Sequence, residues 1–165
     1  MHVAFEEMPE TARLWIYQAD RPFTGKEKEY VQSETTAFLE AWAAHGADLR
    51  SSHTILYDQF LIIAVDQDIV MASGCSIDKQ VQFVQALGQK LTINFMDRTK
   101  VAFLSEDNGS LNKIKMASLN ELKQKVANGD IKSDTLTFNN LIDTKAQLKA
   151  QWIIPASNSW MKRYF

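Results

Sequence analysis

Phe60-Leu61-Ile62-Ile63-Ala64-Val65 is the longest apolar run in the chain, with no polar residue to mark a solvent face. A strand apolar on both faces must be covered on both. Immediately before it, Ser52 to Tyr57 reads as a second strand, joined to the first through Asp58-Gln59 in hairpin fashion. Thr11-Ala12-Arg13-Leu14-Trp15-Ile16-Tyr17-Gln18 reads as a strand with apolar residues on both faces, its continuous apolar run being Leu14–Tyr17, and Arg21-Pro22 breaks it.

Helical patterns fill the gaps between these strands. Thr24-Gly25-Lys26-Glu27 has capping-box spacing, in which the Thr24 hydroxyl accepts from the Glu27 N–H and the Glu27 carboxylate returns the bond. Val31, Phe38, Trp42 and His45 carry that helix to about His45, where Gly46 supplies a left-handed residue to end it. A second helix is expected over Asp78 to Gln89, with Val81, Val84 and Leu87 on one stripe, followed by a strand over Leu91 to Met96.

The order through residue 96 is therefore βαββαβ, that of a ferredoxin-like sandwich, which puts its first and third strands at the sheet centre. Those are the two apolar runs. The expected class is α+β, an antiparallel sheet with helices mainly on one face. The rest of the chain, or a second copy, is expected to extend or cover the sheet.

The remainder offers matching pieces. Val101–Leu104 and Lys113–Met116 read as strands around a turn at Glu106-Asp107-Asn108-Gly109. Ser118-Leu119-Asn120-Glu121 is a second capping box, opening a helix that Gly129 closes. Thr135 to Phe138 is a late strand, Asp143 caps a helix over Thr144 to Trp152, and Pro155 ends it. No repeat or linker divides the chain, so one domain over residues 1–165 is expected.

Composition excludes several classes. A net charge of −2, with alternating signs as in Lys26-Glu27-Lys28-Glu29, offers no basic stripe for nucleic acid. One cysteine allows no internal disulfide and points to a reducing, cytoplasmic setting. The acidic start Met1-His2-Val3-Ala4-Phe5-Glu6-Glu7 lacks signal-peptide regions, and the longest apolar run falls far short of a membrane span. His2, His45 and His53 with one cysteine give no metal-ligand spacing, and Asp66-Gln67-Asp68 lacks the glycine and glutamate of a calcium loop. No cofactor or metal is expected.

The candidate site is Ser73-Gly74-Cys75-Ser76-Ile77-Asp78, a lone thiol between an apolar strand and a helix. Helix N-terminal N–H groups favour negative charge, including a thiolate, and His45 or His53 is a candidate base. Asp78 in the first turn would oppose a thiolate. The alternative is a small buried cysteine with Ser76 as N-cap. Ser73, Gly74, Cys75 and Ser76 could instead cradle a carboxylate or single phosphate, without being a nucleotide P-loop.

Aromatics add two more clusters. Trp15, Tyr17, Arg21 and Phe23 either line a groove or pack a central strand. The tail residues Trp160, Arg163, Tyr164 and Phe165 need cover, by docking on the sheet or at a subunit contact. Asn139-Asn140 is expected to turn the chain.

Taken together, Trp15-Ile16-Tyr17-Gln18, Trp42 with His45-Gly46, the Ser73–Asp78 hexapeptide, Phe138-Asn139-Asn140-Leu141 and Ser159-Trp160 resemble a family of small uncharacterised Bacteroidetes proteins. Members of that family are often labelled ABC transporter ATPases. The chain has neither a Walker A lysine loop nor a Leu-Ser-Gly-Gly-Gln signature, so the label implies no activity here. The resemblance implies no catalytic residues either.

Two functions remain open. One is a non-catalytic binding domain for a small anionic ligand or a protein partner, a homodimer included, with Trp160, Arg163 and Tyr164 as its interaction surface. The other is a cysteine-dependent enzyme or thiol sensor, with Cys75 as nucleophile and His45 or His53 as base. Neither nucleic acid nor membrane is an expected partner.

Overall fold

The apolar run becomes the central strand of a three-stranded antiparallel sheet, β5 (Phe60–Val65), and all six of its residues are buried. The computed structural model describes residues 1–165 and divides the chain into two compact units. Residues 1–96 with 143–146 form the first, and residues 97–142 with 147–165 the second. The class is α+β, with four α-helices and antiparallel sheets.

In the first unit β5 is flanked by β1 (Arg13–Gln18) and β4 (Ser51–Leu56). Tyr57 and Asp58 take positive φ between β4 and β5, and the Gln59 N–H donates to the Leu56 carbonyl to close the hairpin. Trp15 and Tyr17 stand opposite Ile63 and Leu61. That face packs on Val31 and Leu39 of α1 (Gly25–Glu40) and on Val84 and Leu87 of α2 (Gly74–Leu91). The core reading of Trp15 and Tyr17 is therefore the observed one, and Phe23 is buried in the same cluster.

The first capping box forms as expected. The Glu27 N–H donates to Thr24 Oγ1, and the Thr24 N–H donates back to the Glu27 carboxylate. Arg21 clamps the same carboxylate with two bonds of 2.8 Å and donates to the Leu91 carbonyl, tying the start of α1 to the end of α2. The Arg21 guanidinium and the Thr24 N–H hold the Glu27 carboxyl down to about 2.

In the first unit the structure departs from expectation at three places. The strand over Leu91–Met96 does not form. Instead α2 runs on to Leu91, Thr92 adopts a left-handed φ of 56°, and the Ile93 N–H returns to the Gly88 carbonyl at 2.9 Å. Ile93 and Phe95 are both buried, so alternating burial without a ladder produced the strand-like pattern. In place of a fourth ferredoxin-like strand, the outer edge of β1 takes residues 143–145: Leu14 donates to Asp143, and Lys145 to Ala12.

The first helix stops at Glu40 rather than His45. Gly46 does have a positive φ, but it sits with His45 in the turn of a small hairpin, β2 (Ala43–Ala44) and β3 (Ala47–Asp48). Two successive positive φ values make the turn that a two-residue hairpin needs. The second helix starts at Gly74, four residues earlier than Asp78.

The second unit is a four-stranded sheet ordered β7-β6-β8-β9, from β6 (Lys100–Asp107), β7 (Ser110–Ser118), β8 (Leu136–Phe138) and β9 (Ile153–Pro155). Asn108 and Gly109, both at positive φ, turn β6 into β7. The second capping box holds through Glu121, which accepts from the Ser118 N–H and hydroxyl. It leads into α3 (Leu122–Ala127), and Gly129 follows at φ 78°. The helix expected over Thr144–Trp152 is α4 (Lys145–Gln151); it ends before Trp152, and Pro155 closes β9 instead. Asn139 and Asn140 do turn the chain: Asn139 Oδ1 accepts from the Leu141 N–H, and Asn140 Oδ1 from the Trp152 indole. No helix is long and apolar enough to cross a membrane.

Candidate functional site

Ser73 opens α2 as its N-cap: its hydroxyl accepts from the Ser76 N–H at 3.2 Å, and its carbonyl from the Ile77 N–H. Ser76, read from sequence as the cap, is instead the third helical residue, buried, with its hydroxyl donating to the Ser73 carbonyl at 2.8 Å. The N–H groups of Gly74 and Cys75 at the first two helical positions have no protein partner in this arrangement. Such groups carry the positive end of the helix dipole.

Cys75 is exposed, not buried as the packing alternative required. It lines an open depression together with Ser73, Gly74, Ser76, Lys79, Ala43, His45 and Gly46. A Cβ added to Gly74 would meet nothing within 4 Å, so this glycine leaves the backbone open rather than serving packing. The first turn of α2 has no acidic residue. Asp78 lies one turn further on because the helix starts early, and it does not line the depression.

The hairpin brings His45 to this place. Trp42, buried at its base, donates its indole N–H to the Ser76 carbonyl at 2.9 Å and packs against Phe38 and Trp15. The turn at His45-Gly46 then forms the wall opposite the helix start. Lys79 escaped the sequence reading, although it lies four residues after Cys75 on one helix face. Early helix boundaries were the missing signal.

His53, the other expected base, is not in the depression. It sits on β4 with its ring 5.3 Å from that of His2 and its Nδ1 buried without a partner. Burial, with the His2 charge second, pushes its pKa down to about 4. His53 is therefore neutral at pH 7.

The tail residues form a cluster of their own in the second unit. The Arg163 guanidinium stands 5.6 Å from the Trp160 ring and 5.1 Å from the Tyr164 ring. Trp160 is exposed, whereas Met161 is fully buried beside Phe103, Leu122 and Ile131. Met161 is the residue that docks the tail, and it was not singled out in sequence. No group of three or more His, Cys, Asp or Glu side chains is placed to hold a metal ion.

Compared with protein-family models, curated proteins and solved structures, the chain matches none.

Proposed function

We propose that this chain is a binding domain for a small anion, a carboxylate or a single phosphate, held in the depression at the start of α2. One observation carries the reading: two unpartnered helix N–H groups, the Cys75 thiol, Lys79 and His45 line the same open depression, with no carboxylate among them. Lys79 supplies a fixed positive charge and three donors, while Ser73 and Gly74 let an oxygen approach the backbone. His45 adds an imidazole N–H as a further donor.

Cys75 itself reports on the site. Iodoacetate and iodoacetamide deliver the same carbon to the sulfur, but only iodoacetate is anionic. An anion site raises the iodoacetate/iodoacetamide rate ratio in the folded protein above that of the unfolded chain. Inorganic phosphate then slows both reagents, and Lys79→Ala lowers the ratio. A folded ratio equal to the unfolded one, unmoved by phosphate, overturns the reading.

The alternative, thiol chemistry at Cys75, is favoured by one further fact: Cys75 and His45 line the same depression and are both exposed. In that version His45 is the base and His53 takes no part. His45→Ala would then slow iodoacetamide, the neutral reagent, which a purely anion-binding role leaves alone.

A further inference from the structure

Of the long strands, β7 alone has an outer edge with no chain segment paired along it. Residues 1–3 run beside β4, with a bridge between His2 and Ser51, and residues 143–145 run beside β1. The other edge of the second sheet, β9, is three residues long and ends in Pro155. By contrast β7 spans nine residues, pairs only with β6, and is exposed from Ser110 to Lys113 and again at Lys115. Bare edges of that length are normally blunted, because their N–H and C=O groups template another strand.

The register tells which groups face outward. The Leu119 N–H donates to the Thr99 carbonyl at 2.9 Å, making that directly opposed pair a hydrogen-bonded one. Counting along the ladder, Val101–Ala117, Phe103–Lys115 and Ser105–Lys113 are hydrogen-bonded pairs, and the pairs between them are not. The Thr137 hydroxyl bond to the Ala102 carbonyl agrees, since Ala102 then points away from β7. Ile114 and Met116 therefore turn both backbone groups toward the open edge. Ser118 is not free to do so, because its N–H is held by Glu121.

The side chains alternate in step. Lys113 and Lys115 share the face of Phe103 and Ala117, neither forms an ion pair, and Lys125 of α3 lines the same groove as Lys115. Ile114 and Met116 lie on the opposite face, half-buried. The groove's carboxylates, Glu106, Asp130 and Asp134, come from the hairpin end and the loop after α3, not from the edge itself. A second copy is a poor fit. Antiparallel self-pairing centred on Ile114 sets Lys113 against the Lys115 of the other copy twice over, and directly opposed like charges are destabilising.

From this edge we infer that β7 captures an extended peptide segment of another protein, antiparallel, with acidic residues alternating with apolar ones. The apolar residues stand opposite Ile114 and Met116 and exchange backbone hydrogen bonds with them. The acidic residues fall opposite Lys113 and Lys115, in the non-hydrogen-bonded positions where cross-strand side chains approach most closely.

The test uses the full chain and fluorescein-labelled heptapeptides read by anisotropy at low salt. Glu-Val-Glu-Val-Glu-Val-Glu is expected to bind, and its lysine counterpart Lys-Val-Lys-Val-Lys-Val-Lys is not. The acidic peptide with its valine amides N-methylated loses binding, because those amides donate to β7. The double variant Lys113→Glu/Lys115→Glu weakens the acidic peptide about tenfold and gains the lysine peptide, a gain that a misfolded variant cannot give. Equal binding of both peptides, retained binding after N-methylation, or no binding at about 1 mM peptide overturns the inference. A dimer that dissociates on Met116→Pro would also overturn it, by giving the edge to a second copy.

Discussion

The Trp42 indole N–H and the Ser76 carbonyl lie 2.9 Å apart, both residues buried, and this bond fixes the hairpin that carries His45 against the helix start that carries Cys75. Trp42→Phe removes the donor and part of a fully packed side chain. Stability should fall by about 2–3 kcal/mol in urea unfolding. The folded iodoacetate/iodoacetamide ratio at Cys75 should fall too, because His45 loses its support. A variant that unfolds earlier but keeps the ratio would separate the fold from the site.

His53 makes stability depend on pH in one direction. Its pKa is about 4 in the folded chain against 6.5 for the free side chain, so the unfolded chain binds the proton first. Stability is therefore full above about pH 6.5 and falls as pH drops toward 4, by on the order of 2 kcal/mol from this group. In His53→Gln that slope should flatten between pH 6.5 and 4, as read from urea midpoints. An unchanged slope would assign the titration to other groups.

Gly88 is a contact, not a hinge. A Cβ there would stand 2.5 Å from the Ile93 carbonyl oxygen and 3.2 Å from the Phe95 ring. Gly88→Ala, although helix-favouring by propensity, should destabilise by about 1–3 kcal/mol because a backbone atom must move. Thermal melts of Gly88→Ala beside Gly74→Ala check this. The Gly74 position is open, so that variant should leave the melting temperature nearly unchanged and act instead on phosphate protection of Cys75.

Lys145 is nearly buried, and its ammonium donates to the Glu6 and Met8 carbonyls while standing 5.5 Å from the Phe5 ring. Lys145→Met keeps the stem and removes the donors. The loss of charge-assisted bonds should cost about 1–3 kcal/mol. Hydrogen exchange should accelerate over residues 5–10 before any other segment. Uniform acceleration instead would mean global destabilisation.

Features written in a few adjacent residues were legible. Thr24–Glu27 and Ser118–Glu121 gave their helix starts, Asn108-Gly109 its hairpin, and the two apolar runs became β1 and β5 side by side. Where tertiary packing decides, the pattern misled. Ile93 and Phe95 alternate in burial because they wrap past Gly88, which no local period distinguishes from a strand. Trp42 at helical spacing suggested a longer α1, yet its indole is spent on Ser76. The depression was half legible: the Ser73–Ser76 loop and His45 were candidates, but their meeting depends on a hairpin turn hidden inside an expected helix end.

Residues 143–145 pair with the beginning of β1 on its outer side, and Lys145 reaches Met8 across 137 positions of chain. On the ribosome, therefore, the first sheet emerges with this part of its β1 edge bare and stays so until residues 143–145 have been made. Contacts this remote in sequence are closed late and slowly. Until Thr144 arrives, the newborn chain exposes an apolar strand beginning at Leu14, and that interval is when a chaperone or a neighbouring nascent chain has most to hold.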